Sequence, residues 1–317
     1  MILRRALLLA ALPASRAAMA QPARPLVVVL TIGAGQTAQI VARFPGHLLA
    51  AGLRVGRDLD LDIRHGTAEE LPALAREIVR RAPRLIITHG SPATVAVAAA
   101  MPDIPLLALG PDPTELGLAE SLAQPGGRVT GVIIFAGDLD VKRLELLAEA
   151  LPQVSRLGVL VLEGAPLRAQ HDAALRQAAA VLGRELLIFP TRGRVDPALF
   201  DRMAAEGIGG LVVSASPAFF DQIGPLAAMA GARGIPMACQ WREMAEAGCL
   251  LSYGPDLNLA WRRIAGMAAE ILRGTPPQRL PIERPMRFEL VLNGGAARRF
   301  GLDLPTSLLA RAEEVIE

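Results

Sequence analysis

From Pro25 onward, short apolar runs alternate with longer stretches in which apolar residues recur every third or fourth position. Residues 25–32, PLVVVLTI, have the length and β-branching of a strand buried on both faces. Residues 38–52, AQIVARFPGHLLAAG, have helical spacing, and Pro45 predicts a break within them. Further strands are predicted at 59–65, 84–90, 105–110 and 128–135, with helices between most of them, one at 71–82. The pattern then restarts. A helix at 141–151 leads to strands at 156–164, 185–190, 209–216 and 236–241, separated by helices at 167–183, 197–206 and 219–233. An apolar stretch at 249–256, an amphipathic helix at 257–273 and a proline-rich extended segment at 275–285 follow. A last strand at 287–293 precedes C-terminal helices. Repeated βαβ units of this kind predict an α/β fold of two Rossmann-like lobes, each with a parallel central sheet.

Two segments echo one another. RLIITHGSPA at 84–93 and GGLVVSASPA at 209–218 are each a buried strand ending in Ser-Pro-Ala before a helix. Ser91 and Ser216 are expected N-caps, with Pro92 and Pro217 in the first helical position. Ligands of open parallel sheets bind at the carboxyl ends of the strands, so each lobe offers a similar loop to one cleft.

Composition narrows the function. The chain has 317 residues, enough for two lobes, and 52% of them are apolar, which argues against disorder. Aromatic residues make up only 3%, too few for a base-stacking surface. The first twenty residues read as a signal peptide: a basic start at Arg4-Arg5, an apolar core at 6–12 and Ala18-Met19-Ala20 before Gln21. Secretory and twin-arginine export both fit. The segment holds Arg4, Arg5 and Arg16 and no acid, so the mature chain carries 30 basic and 31 acidic side chains. Nucleic acid is therefore not an expected partner. Cys239 and Cys249 are either a disulfide or two small buried apolar residues.

Gly33-Ala34-Gly35-Gln36-Thr37-Ala38 spells G-x-G-x-x-A after a strand and before a helix. A dinucleotide site also needs an acid at the end of the second strand to hold a ribose. That strand ends in Ile63-Arg64-His65, so the loop loses its confirming context. Gly33 and Gly35 are instead expected to let the backbone approach a small ligand, with Gln36 and Thr37 as polar contacts. No phosphate-binding G-x-x-x-x-G-K-[ST] occurs, and His47, His65, His89 and His171 lack metal-ligand spacing. His89 near Ser91 lacks a nucleophile elbow. Neither catalysis nor a cofactor is expected.

Binding fits better. An amino acid in a dry cleft needs donors for its carboxylate and an acid for its ammonium. Gly90, Ser91, Asp112 and Thr114 are candidates from the first lobe, and Ser214, Ser216 and Glu243 from the second. Asp112 has an equal claim as a turn cap, and Glu243 as an ordinary exposed acid of a helix's first turn. Trp241, Tyr253, Phe219 and Phe220 are either pocket walls or core.

Several stretches together resemble the ABC-transporter substrate-binding protein family that includes tryptophan- and phenylalanine-binding members. They are 52–94, 109–132, KRLELLAEALP at 142–152, GCLLSYGPDL at 248–257 and 287–317, with Pro-Gly-Gly-x-x-Thr-Gly-Val at 125–132 and Ser252-Tyr253-Gly254 the more specific parts. The resemblance implies a type I periplasmic binding fold with three hinge crossings and no enzymatic activity. It implies lobes at 23–134 plus 253–283 and at 135–252 plus 284–317. It also implies a monomeric periplasmic protein that carries an amino acid or related carboxylate to a membrane permease and its ATPase. The ligand loops would be Gly90-Ser91-Pro92, Asp112 and 214–217. Two stretches depart from the family: residues 32–49 are more apolar and glycine-rich, and Ser216 stands where many relatives carry Asp. A sensory module of the same fold, and a nucleotide-dependent two-domain enzyme, are the alternatives.

Overall fold

The computed structural model describes residues 24–33, 35–100, 103–134, 137–164, 168–284 and 287–317. The signal-peptide reading falls outside the described residues.

Two sheets organise the chain. The first contains β1 (Leu26–Ile32), β2 (Asp60–Gly66), β3 (Leu85–His89), β4 (Leu106–Gly110) and β5 (Val129–Ile133), in the order β2-β1-β3-β4-β5 and parallel throughout. Val27 to Leu30 and the whole of β3 and β4 are buried, as near-continuous apolar runs demand of a sheet covered on both faces. The helices of this lobe are α1 (Gln36–Val41), α2 (Phe44–Ala50), α3 (Leu71–Arg80) and α4 (Ser91–Ala100). The break expected at Pro45 falls at Ala42-Arg43, because proline is tolerated in the first turn and Pro45 therefore opens α2.

The second sheet follows α5 (Gly137–Ala150). Its strands are β6 (Arg156–Leu162), β7 (Glu185–Thr191), β8 (Gly210–Val213), β9 (Met237–Cys239), β10 (Leu251–Gly254), β11 (Glu289–Asn293) and β12 (Glu314–Ile316). The order is β12-β11-β10-β9-β8-β6-β7, parallel except where β10 meets β11. Between the strands lie α6 (Arg168–Val181), α7 (Pro197–Ala205), α8 (Pro217–Phe220), α9 (Ile223–Gly231) and α10 (Arg242–Glu246). The helix predicted at 219–233 is thus two helices, and the break leaves Asp221 and Gln222 between them.

The chain passes between the sheets after β5, after β10 and after Glu283. Following β10, α11 (Leu257–Leu272) returns to pack on α2 and on β3, β4 and β5. Residues 280–283 then run beside β5: Thr130 Oγ1 donates to the Leu280 carbonyl at 2.7 Å, and the Ile133 N–H to that of Glu283 at 2.8 Å. The last pass leads to β11, α12 (Gly294–Arg299), α13 (Thr306–Leu309) and β12. Tyr253 and Gly254, which the family pattern placed with the first lobe, pair with Leu290 and Glu289 in the second sheet. Cys239 and Cys249 form a disulfide, which closes the loop around α10.

Candidate functional site

The loops at the carboxyl ends of β1 and β3 touch the turn at the carboxyl end of β8 directly. Gly33 ends β1 with φ +84, a conformation glycine adopts without strain. Its carbonyl lies 3.0 Å from His65 Nδ1. A Cβ at Gly33 would overlap Asp221 Oδ2, and one at Gly35 would come within 3.0 Å of the Asp221 carbonyl oxygen. The Thr37 N–H donates to Asp221 Oδ1 at 2.6 Å, and Thr37 Oγ1 to the Pro217 carbonyl at 3.4 Å. Thr37 itself is fully buried. The side chain of Gln36 lies outside the described residues. The glycine loop is therefore occupied by a carboxylate of the opposite lobe.

The Ser-Pro echo takes two forms. Ser216 caps α8 as expected, its hydroxyl accepting from the Ala218 N–H at 3.2 Å, with Pro217 first in the helix. At the other copy, Gly90 makes the turn with φ +93, and its carbonyl accepts from the Thr94 N–H at 3.1 Å, so α4 already includes Ser91. The two copies meet across the cleft: a Cβ at Gly90 would lie 3.3 Å from Pro217 Cγ.

Asp112 is largely consumed by its own lobe's rim. Its Oδ1 accepts from the Thr114 N–H at 2.9 Å and the Thr114 hydroxyl at 2.6 Å, while Oδ2 takes Arg284 NH2 at 2.8 Å. Burial raises its pKa, but these bonds outweigh burial and hold the carboxyl below its ordinary range. The turn-cap role is the one realised, with Arg284 added from the third crossing.

Beneath the second lobe's edge lies a buried charged group. Arg143 is fully buried; its Nε donates to the Tyr253 carbonyl at 2.8 Å and its NH1 to Asp140 Oδ1. His171 Nε2 lies 2.8 Å from Asp140 Oδ2. Burial pushes the Asp140 pKa up, but Arg143 and His171 outweigh it and bring it below the usual range. Burial pulls His171 down, yet Asp140 and Asp172 raise it on balance. The Ser214 hydroxyl lies beside this group, buried without a hydrogen-bond partner, and Tyr253 supplies the group a carbonyl while its ring packs on Phe288 at 5.9 Å.

Glu243 sits apart. It lines a small polar cavity of about 80 Å³ with Arg242, Asp256 and Glu289, to which no residue of 33–37, 90–91 or 112–114 contributes a wall. Burial raises its pKa. Phe219, Phe220 and Trp241 are core; Phe220 meets Trp241 edge-on at 4.8 Å. His89 is also core, packed edge-on against Trp261 at 5.5 Å, and burial lowers its pKa to about 3. Among the described residues no cluster of three or more His, Cys, Asp or Glu side chains is placed to hold a metal. An apolar groove of about 350 Å³ runs along α3 and α4, past Leu71, Val95 and Ala96, from Pro92 to Gly164 of the second lobe.

Of the residues expected from the sequence, the fold brings Gly33, Gly35, Thr37, Gly90 and the 216–217 turn together and joins Asp112 to Thr114. Asp221, Asp140, Arg143, His171 and Arg284 were not among the expected site residues. Gly224-Pro225 signals a helix start near Ile223 and thus the break that exposes Asp221. Asp140 and Arg143, spaced as an ordinary solvated helical pair, carry no such signal.

The family model described as ABC transporter substrate binding protein matches residues 38–316. A tyrosine-binding protein of Clostridioides difficile is 23% identical over 256 residues, 76% of this chain and 70% of that protein. A conserved domain protein of Vibrio cholerae O1 superposes with a TM-score of 0.83 at 24% identity, covering 92% of this chain and 99% of the other. The ABC domain of Streptococcus pneumoniae in complex with L-Trp superposes with a TM-score of 0.82 at 19% identity, covering 93% and 100%. The two-sheet architecture is that of type I periplasmic binding proteins, a fold also present in LacI-type regulators.

Proposed function

Because the chain belongs to the ABC transporter substrate-binding protein family, we propose that it is the solute-binding component of an importer and takes an aromatic amino acid, or a related small carboxylate, between its lobes. The observation that carries this reading is the meeting of the loops after β1 and β3 with the turn after β8, which brings polar groups of both lobes within reach of each other. Closure of the lobes around a solute would present the permease and its ATPase with a surface absent from the open form. The names of two relatives support the ligand class: one is a tyrosine-binding protein, the other was solved with L-Trp.

In this reading Gly90 and Ser91 at the start of α4, Thr114 beside Asp112, and Ser214 beside Asp140 are the polar contacts of the solute. Ser216 supports them through its cap. Gly33, Gly35 and Thr37 act at the rim, where Asp221 already meets them. Tyr253 holds the wall behind, and Glu243, from its separate cavity, shapes the hinge rather than the ligand. The lobes comprise 24–134 with 257–283 and 137–254 with 287–317. A periplasmic location accords with the signal-like first twenty residues and with the Cys239–Cys249 disulfide, a bond favoured in oxidising compartments.

A thermal-shift panel of the mature protein against amino acids, purines, small carboxylates and NAD tests this. A ligand at about a hundred times its Kd adds about 2.7 kcal/mol to stability, so L-Trp, L-Tyr or L-Phe is expected to raise Tm clearly. Stabilisation by NAD alone, or by none of the solutes, contradicts the proposal.

A further inference from the structure

We propose that Asp221 is an interlobe latch: its carboxylate docks on the Gly33–Thr37 loop and holds the cleft shut in the absence of ligand. Asp221 belongs to the second lobe, in the break between α8 and α9, whereas the loop that receives it ends β1 of the first. The contact is short and charged, 2.6 Å from the Thr37 N–H to Asp221 Oδ1, and a bond to an ionised acceptor is among the stronger hydrogen bonds. It is shaped on both sides. Only an absent Cβ at Gly33 leaves room for Asp221 Oδ2, and Gly35 gives the same freedom to the Asp221 main chain. The second oxygen is buried without a hydrogen-bond partner, so the carboxylate has exchanged water for a seat against the loop. Thr37 Oγ1 to the Pro217 carbonyl, and Gly90 against the Pro217 ring, extend the same seam.

This accounts for the glycine pattern without a nucleotide. The two glycines and the free amide that let a phosphate approach in dinucleotide-binding proteins here admit a carboxylate of the chain itself. The closed form is then stabilised by a contact that needs no solute, and the ligand-free ensemble is biased towards closure.

The test uses the ligand-free mature protein, so its outcome is independent of which solute binds or whether one does. Cysteines replacing the exposed Leu49 and Val181, one in each lobe, are spin-labelled while Cys239 and Cys249 remain in their disulfide. The wild-type loop is expected to give a predominantly compact distance distribution. Asp221→Ala is expected to raise the population of the open distance at least several-fold. Asp221→Asn, which keeps an acceptor for Thr37 but not the charge, is expected to fall between. Should Asp221→Ala fail to fold, Gly35→Ala serves in its place: φ −85° and ψ −107° lie outside the regions open to a residue with a side chain, and the added Cβ presses on the Asp221 carbonyl, so the loop must move off Asp221 and the cleft should likewise open. A wild-type ensemble already open, or a folded Asp221→Ala or Gly35→Ala protein with wild-type distances, overturns the latch.

Discussion

Arg143→Ala is expected to lower the free energy of unfolding by about 3–5 kcal/mol, the cost of leaving a buried charge without its partner. The Arg143 side chain is fully buried, and Asp140 is 7% exposed. Without the guanidinium, the Asp140 carboxylate keeps only His171 as a hydrogen-bond partner, and its pKa should climb because burial is then less opposed. Arg143 also ties α5 to the Tyr253 carbonyl, joining the segment that follows the first lobe crossing to the strand that precedes the second. The double variant Asp140→Leu with Arg143→Met removes both charges and is expected to recover most of the loss, since well-packed apolar replacements of buried pairs are often neutral. Urea denaturation with an unchanged m-value reads both effects. A loss below about 1 kcal/mol for Arg143→Ala would show that the pair is not sealed from water.

His89 should make the protein acid-sensitive. Its pKa in the fold is about 3, lowered by burial beside Trp261, against an ordinary value of 6.5. Between those values the unfolded chain takes up a proton that the folded chain refuses. Stability attributable to this group is thus complete above pH 6.5 and falls as pH drops towards 3. The loss is roughly 3 kcal/mol by pH 4, at about 1.4 kcal/mol per pH unit. His171 acts with the opposite sign: its raised pKa stabilises the fold below its ordinary value, and that contribution fades as pH rises through the folded pKa. His89→Gln removes only the first titration. Urea midpoints measured from pH 7 to pH 4 should therefore fall less steeply for the variant than for the wild type, whatever its cost at pH 7. Parallel curves would contradict the assignment.

The alternation of short β-branched runs with helical spacing was enough to place both sheets, because strands covered on two faces must be apolar throughout. Buried runs such as Val27–Leu30 and Leu106–Leu109 carry that signal openly. The short terminal strand β12 did not, being mostly exposed and made of charged and apolar residues at an edge beside β11. At the site, the glycine loop and the Ser-Pro turns were legible as strand-to-helix punctuation. What occupies the loop was not. Asp221 lies 184 residues from Thr37, and nothing local in 219–224 says that its carboxylate crosses a cleft. Asp112 was legible as two alternatives; the Thr114 bonds decide for the turn, and Arg284, 172 residues away, was out of reach of any spacing argument. Arg143 shows the same limit, since an arginine three residues after an aspartate looks like a surface pair until the helix is packed on its sheet.

An aromatic amino acid is expected to bind between the lobes. Calorimetric titration of the mature protein with L-Trp, L-Tyr and L-Phe tests it most directly. The predicted result is saturable binding of at least one of them at one site per chain, weakened in Ser91→Ala without a change in fold. Absence of binding for all three, or binding unaffected by Ser91→Ala together with Ser214→Ala, would contradict the account.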